Sequence, residues 1–134
     1  MNGAAVHLLD GNVVVALLVT DHVHHRAATR WFLQAGQVAT SPTGQGTVLR
    51  YLVRTGVPAQ NAQASLRSLT THERHEQWLD DVPYTEVDLS GVHGHRQVTD
   101  AYLAQLARTH GGRLATFDRG LAAAAPDVTV LLPA

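Results

Sequence analysis

Three aspartates stand where the chain can bring carboxylates together. Asp10 follows an apolar run over 5–9, and Asp118 follows a second apolar run over 113–117. Both runs are typical of short strands buried in a parallel sheet. Asp100 lies in the first turn of the helix predicted just before the second strand. Because the carboxyl ends of parallel strands and the amino ends of crossover helices meet at one sheet edge, we expect Asp10, Asp100 and Asp118 to share that edge.

Grouped carboxylates in a partly buried cleft raise one another's pKa, and burial raises it further. A divalent cation offsets this repulsion, and an all-oxygen ligand set suits a hard ion such as Mg²⁺ or Mn²⁺. One such ion, or two about 4 Å apart, assists the hydrolysis of phosphodiester bonds. The pattern therefore predicts that Asp10, Asp100 and Asp118 are metal ligands at a site that cleaves phosphodiesters.

Several polar residues near the three acids are candidates for supporting roles. Gln45 is predicted near the start of another helix, which places it at the same sheet edge. Asn12 is expected to hydrogen-bond the first aspartate or to cap its helix. Thr99 and Thr116 are expected to supply hydroxyls that bind the metal ligands, and Arg119 to approach a phosphate.

These residues need a scaffold of strands alternating with helices. A length of 134 residues accommodates one domain, covering 1–134. The alternation favours an α/β sandwich in which a mostly parallel central sheet is flanked by helices. The longest apolar stretch is much shorter than the ~20 residues of a membrane span, so no membrane contact is predicted. The strands are expected at 5–9, 38–40, 84–88, 113–117 and 128–132, with a turn at 41–44.

Composition excludes several other functions. All ten basic residues are arginine and lysine is absent. This excludes P-loop nucleotide binding, receiver-type phosphoacceptor domains and Schiff-base chemistry, because each needs a lysine amine. A haloacid-dehalogenase-like phosphatase would need a second aspartate at the position of Asn12. The absence of cysteine excludes disulfides and thiolate metal sites. The first residues do not fit a secretory signal, so we expect the cytoplasm.

The charge balance gives no general attraction to nucleic acid. With a formal net charge of −1, any RNA contact must rest on local arginines or on a metal ion. We interpret Arg50, Arg54 and Arg67 as solvated helix charges, with a partner-facing set as the alternative. The histidines lack the spacing of a zinc helix. We interpret His22 and His95 as loop residues, with a place along a nucleic-acid path as the alternative.

Three segments resemble one family. The string LLDGNVVVAL at 8–17 resembles the opening of the PIN-domain ribonucleases, particularly the VapC toxins of bacterial toxin-antitoxin pairs. The strings QVTDAYL at 97–103 and GRLATFDR at 112–119 are similar to the second and third acidic motifs of that family. Each motif is weak alone, but the ordered set spans nearly the whole chain and is specific.

The resemblance implies a three-layer PIN fold and a Mg²⁺- or Mn²⁺-dependent endoribonuclease that cleaves structured RNA, with tRNA among the candidates. It also implies a homodimer whose cleft is covered by a cognate VapB-type antitoxin. Under it, Asp10, Asp100 and Asp118 are the metal ligands, and Gln45 stands where the family usually has a glutamate. The site then carries about −3 instead of −4 and should bind a divalent ion less tightly. The alternative is a PIN-like domain that binds RNA or a partner with weak or no nuclease activity.

Overall fold

A computed structural model describes residues 5–133 of the chain as an α/β sandwich around a five-stranded sheet in which every pairing is parallel. The strands are β1 (His7–Leu9), β2 (Val38–Thr40), β3 (His75–Gln77), β4 (Arg113–Thr116) and β5 (Thr129–Leu131). The helices are α1 (Gly11–Leu18), α2 (His25–Gln34), α3 (Pro42–Arg54), α4 (Ala59–Thr70), α5 (Gln97–Thr109) and α6 (Arg119–Ala124). A single 3₁₀ turn covers Tyr84–Glu86.

The strand order creates a crevice at the centre of the sheet. The strands are arranged β3-β2-β1-β4-β5, so the chain moves outward from β1 to β3 and then returns to the other side of β1 with β4. Leu9 of β1 lies opposite Ala115 of β4. The order therefore reverses between these two strands. In open parallel sheets, ligands bind outside the carboxyl ends of the strands at such a reversal.

Helices cover both faces of the sheet. Successive side chains of a strand point to opposite faces. Accordingly, Leu8 of β1 packs in a buried cluster with Leu106 of α5, whereas the next residue, Leu9, packs in another with Val13 of α1 and Val48 of α3. The three-layer α/β sandwich predicted from the alternation is confirmed. Within residues 5–133, no helix combines the length and the apolar character needed to cross a bilayer.

Two local predictions are wrong. The segment 84–88 is not a strand, and the missing strand is β3, which lies in the most polar stretch of the chain. Because β3 is an edge strand with exposed side chains, it needs no apolar run. The segment 41–44 is not a turn, because α3 already begins at Pro42 after the extended residue Ser41. Proline suits the first helical position, where its missing N–H has no partner to lose.

Other boundaries differ by a few residues. The first strand is shorter than predicted and begins at His7. Helix α5 ends at Thr109, and Gly111, which follows the C-cap residue His110, adopts a φ of 69°. Only glycine adopts this left-handed conformation without strain, so it stops the helix and turns the chain into β4.

Candidate functional site

Asp10 and Asp118 flank the central crevice. Asp10 follows β1, is 8% exposed, and caps α1 by accepting a hydrogen bond from the Gly11 N–H at 2.8 Å. Asp118 follows β4, is exposed, and caps α6 by accepting one from the Leu121 N–H at 3.1 Å. Since β1 and β4 are paired, both carboxylates lie at the same carboxyl edge.

The hydroxyl of Thr116 links the residues that follow β1 and β4. Its Oγ1 donates to Oδ2 of Asp10 at 2.7 Å, and it accepts from the Asp118 N–H at 2.9 Å and from Nδ2 of Asn12 at 3.4 Å. A hydroxyl has one proton and two lone pairs, so all its capacity is used. Because Thr116 is fully buried, this network fixes the orientation of the Asp10 carboxylate.

Asn12 has a different role from the two that were predicted. It does not cap α1, because Asp10 does so, and its recorded hydrogen bonds do not involve Asp10. Instead, its amide donates to Thr116 and its Oδ1 accepts from the Phe117 N–H at 3.2 Å. Asn12 therefore ties the first turn of α1 to the end of β4. This cross-link lies between elements about 100 residues apart in the chain, which explains why local cap rules did not predict it.

The three aspartates influence one another electrostatically. Burial raises the pKa of Asp10, the hydrogen bonds from Thr116 and Gly11 lower it, and the charge of Asp118 raises it further. Asp100 lies in the first turn of α5. Burial, followed by the charges of Asp10 and Asp118, raises its pKa to about 6. Asp100 and Asp118 line one cavity, and Asp10 follows the strand beside the one that Asp118 follows.

The donor chemistry of this edge fits a hard divalent cation. Three carboxylates are brought close enough to raise the pKa of Asp100, and a cation would reverse that repulsion. Among residues 5–133, however, no three His, Cys, Asp or Glu side chains already form a compact metal-binding group. Asp118 is exposed and Asp100 is half-buried, so both side chains can change rotamer, whereas Asp10 is fixed.

Ser41 is a site residue that the sequence analysis missed. Its side chain is fully buried, and its Oγ has no hydrogen-bond partner among the described residues. Leu8 of β1 lies opposite Ala39 of β2, so continuing the register by two residues brings Ser41 level with Asp10. A buried hydroxyl without a partner is unfavourable, and such a group beside the acids fits a bound ligand. The signal was its position directly after a buried strand, as for Asp10.

Gln45 lies at the same edge but its amide is turned toward the neighbouring strands. Its Nε2 donates to Oγ1 of Thr40 at 2.8 Å and to Oε1 of Gln77 at 2.7 Å. Thr40 ends β2 and Gln77 ends β3, so these bonds lead away from β1 and β4. Oγ1 of Thr40 also lies 2.7 Å from Nε2 of His75. Gln45 thus belongs to a polar network beside the three acids.

The remaining candidates have no fixed contacts. Thr99 is half-buried in the first turn of α5, and Arg119 is exposed at the start of α6. Neither side chain has a hydrogen-bond partner among residues 5–133. Asp100 and Asp118 open into a cavity of about 180 Å³ between α5, α6 and the loop that contains Ser90. The cavity gives a substrate group access to these two acids.

Removing the Thr116 hydroxyl should disrupt the site without changing its shape. We expect Thr116→Val to reduce the activity of the site by about 10–100-fold, as is typical when a partner of a metal ligand is lost. It should also lower the free energy of unfolding by about 1–3 kcal/mol, because the buried carboxylate of Asp10 loses a donor, and the Asn12 amide and the Asp118 N–H lose their acceptor. Thr116→Ser keeps the hydroxyl and is the matched control. Equal loss in both variants, in activity assays and thermal melts, would contradict this role.

Comparisons with known proteins relate the chain to one family. A family model described as "PIN domain" matches residues 7–126. The chain is 50% identical over 127 residues to Ribonuclease VapC29 of Mycobacterium tuberculosis, covering 94% of this chain and 96% of that relative. Its structure is similar to that of VapC20 of Mycobacterium tuberculosis, described as a sarcin-ricin loop cleaving toxin, with a TM-score of 0.72 and 16% identity over 95% of this chain and 99% of the other. It is also similar to VapBC2 of Rickettsia felis, solved with a DNA fragment from its promoter, with a TM-score of 0.68 and 16% identity over 96% of this chain and 99% of the other.

Proposed function

The chain belongs to the PIN-domain family and to its VapC group, as its three acidic segments predict, and on this premise we propose that it is a metal-dependent endoribonuclease that acts as the toxin of a toxin-antitoxin pair. The observation that carries the proposal is the placement of Asp10 and Asp118 at the ends of paired strands where the strand order reverses, with Asp100 lining the same cavity as Asp118. Its VapC relatives in Mycobacterium tuberculosis are named ribonucleases, which supports the same reaction.

Asp10, Asp100 and Asp118 would hold Mg²⁺ or Mn²⁺, and the bound ion would activate water and stabilise the charge that develops on a phosphodiester. In the proposed roles, Asp10 is the fixed ligand, because Thr116 and Gly11 hold both of its oxygens. With a pKa of about 6, Asp100 is mostly ionised at neutral pH, and at lower pH a bound cation would compete with its proton. Arg119 is proposed to contact a phosphate and Thr99 to orient a ligand.

A cleavage assay tests the proposal. Purified protein is incubated with total tRNA or with ribosomal RNA in Mg²⁺ or Mn²⁺, with a parallel sample in EDTA. We expect discrete RNA fragments that depend on the metal and disappear with the chelator. Cleavage that is equal in EDTA would contradict the metal-dependent mechanism. Binding of RNA without any cleavage would favour the alternative, a PIN-like binding domain.

The proposal extends to partners. The similar structure from Rickettsia felis is that of VapBC2, which supports a VapB-type antitoxin as the partner of this chain. We propose a homodimer with structured RNA as its substrate. The dimer would form a larger cleft, in which such a small enzyme can recognise folded RNA by its shape. Location in the cytoplasm stays a prediction.

Restoring a carboxylate at position 45 should strengthen metal binding. We expect Gln45→Glu to bind Mg²⁺ more tightly than the wild type, because a fourth negative charge is added at the edge that holds the three acids. The loss of the amide donor to Thr40 and Gln77 also releases the side chain from its present contacts. Calorimetric titration with Mg²⁺ measures the effect. Unchanged or weaker binding would count against Gln45 as part of the site.

A further inference from the structure

A second concave surface begins beside the site and carries charge of the opposite sign. It has a volume of about 360 Å³ and lies between α1, the turn after it, and α3. We call it the α1–α3 groove. Its lining consists of Gly11, Asn12, Val15, His22, Thr47, Arg50, Tyr51 and Arg54. We infer that this groove binds backbone phosphates of the RNA strand next to the cleaved bond, through Arg50, Arg54 and His22. The inference rests on the proposed function and names how its substrate is held.

The two arginines of the groove are not neutralised. No acidic residue is among the groove's lining, and within residues 5–133 neither Arg50 nor Arg54 forms an ion pair. By contrast, Arg108 pairs with Asp127 at 2.7 Å. Arg54 lies in the last turn of α3, where the helix dipole favours a cation. Arg50 lies one turn earlier, so the dipole does not account for it.

The guanidinium of Arg50 is directed toward the catalytic end of the molecule. The Arg50 guanidinium lies beside Gly46, one turn earlier in α3, since a Cβ atom added to Gly46 would be only 3.3 Å from Nη1. The Arg50 side chain therefore folds back toward the start of α3. The start of α3 follows β2 and therefore lies at the carboxyl edge of the sheet. Arg54 lies over the ring of Tyr51, 5.5 Å from its centroid, which holds its charge against the groove wall.

The inner end of the groove is continuous with the network around Asp10. The Gly11 N–H donates to Asp10, and Asn12 donates to Thr116, which in turn donates to Asp10. The inner end of the groove therefore lies next to Asp10, so a strand that occupies the groove leads toward the acids. This arrangement favours RNA over an acidic protein as the occupant, because the phosphodiester to be cleaved must lie at those acids.

His22 is oriented to donate a hydrogen bond into the groove. Its Nδ1 lies 3.0 Å from the His24 N–H, which donates to it. In the neutral ring the proton is therefore on Nε2, where it can be donated to a phosphate oxygen. His24 in turn stacks on Phe117, with ring centroids 4.8 Å apart, which ties this turn to the residue that precedes Asp118.

RNA binding in EDTA tests the inference separately from cleavage. The probe is a fluorescein-labelled single-stranded oligoribonucleotide, and its affinity is measured over a range of salt concentrations. The variant is Arg50→Gln with Arg54→Gln. The control, Arg30→Gln with Arg67→Gln, removes the same charge from exposed positions on α2 and α4. Each phosphate contact on a single strand contributes about 0.7 to the slope of log affinity against log salt. Because the groove variant loses two contacts, we expect its slope to be smaller in magnitude by about 1.4. The control should keep the wild-type slope.

In Mg²⁺, the groove variant should show a raised KM for RNA with a kcat near that of the wild type, because the arginines bind substrate without touching the reacting atoms.

Thermal melts verify that both double variants are folded. Equal slopes for the groove variant and the control, or no RNA binding by the wild type at low salt, would overturn the inference. It would also be overturned if the groove variant bound RNA normally but lost binding of an oligoglutamate peptide. If neither the wild type nor the variants cleave RNA but the salt slopes differ as expected, the proposed nuclease function fails. The inference that the groove binds RNA phosphates then still stands.

Discussion

Asp10→Asn is expected to lower metal-dependent RNA cleavage by more than about 100-fold, since loss of a group that merely orients a metal ligand already costs about 10–100-fold. Asp10 is the buried member of the three acids and the one whose orientation is fixed. An asparagine preserves its shape and can still cap α1 through Oδ1. Its Nδ2, however, would face the Thr116 hydroxyl, whose lone pairs are already engaged by Asn12 and Asp118.

The matched control for this variant is Glu73→Gln. Glu73 is exposed and lies just before β3, at the opposite edge of the sheet from the acids. It should retain wild-type cleavage, measured as kcat/KM on the same RNA in Mg²⁺. Circular dichroism checks that both variants are folded. An Asp10→Asn variant that is folded and still cleaves at the wild-type rate would remove Asp10 from the mechanism.

Asp100→Asn is expected to abolish cleavage while making the protein more stable in EDTA. Burial and the charges of Asp10 and Asp118 oppose ionisation of Asp100, so removing its charge relieves repulsion. Because Asp100 is half-buried and solvent screens part of that repulsion, we expect a gain of about 1 kcal/mol in the free energy of unfolding at neutral pH. This corresponds to a rise of about 4 °C in Tm. A gain in stability with a loss of activity is the usual signature of a functional charge cluster.

The effect should depend on pH in a definite direction. The pKa of Asp100 is about 6 in the folded protein and near 3.8 in the unfolded chain, so the folded state binds more protons between these values. In EDTA, the stability of the wild type should therefore rise as the pH falls through about 6 toward 4, relative to Asp100→Asn. The advantage of the variant should be largest near pH 7.5 and should disappear near pH 4.

Addition of Mg²⁺ at neutral pH should reverse the order of stability, because the ion binds the folded wild type and stabilises it. Melting curves with and without Mg²⁺ at several pH values measure both effects, with Glu73→Gln as the control. A variant that is less stable than the wild type in EDTA at neutral pH would show that Asp100 is not under electrostatic strain. The same wild-type Tm with and without Mg²⁺ would show that the acids do not bind the ion.

The placement of the acids was predictable from local patterns. Asp10 and Asp118 follow short apolar runs that are typical of buried strands, and Asp100 lies in the first turn of the helix that precedes β4. The rule that parallel strands end at one edge supplied the rest. The edge strand β3 was not predictable in this way, since its exposed, polar residues follow no hydrophobic period. Its place is decided by hydrogen bonding to β2, a contact about 37 residues distant in sequence.

The supporting network was only partly predictable. Thr116 is predicted as a hydroxyl near the acids, but its three partners are Asp10 after β1, Asn12 in α1 and Asp118 after β4, and no local rule combines these. The composition of 41–44 favours a turn, whereas Ser41 is buried directly after β2 and precedes the first residue of α3. Long-range packing, which single positions in a sequence do not encode, decided both cases.

Diffraction from crystals grown in Mn²⁺ tests the central claim most directly. The anomalous signal locates the ion without any assumption about its ligands. We predict a peak at the carboxyl edge between β1 and β4, with oxygens of Asp10, Asp100 and Asp118 at about 2.0–2.3 Å from the ion. A peak elsewhere, or no peak in crystals of protein that cleaves RNA only with Mn²⁺, would contradict a metal shared by these three aspartates.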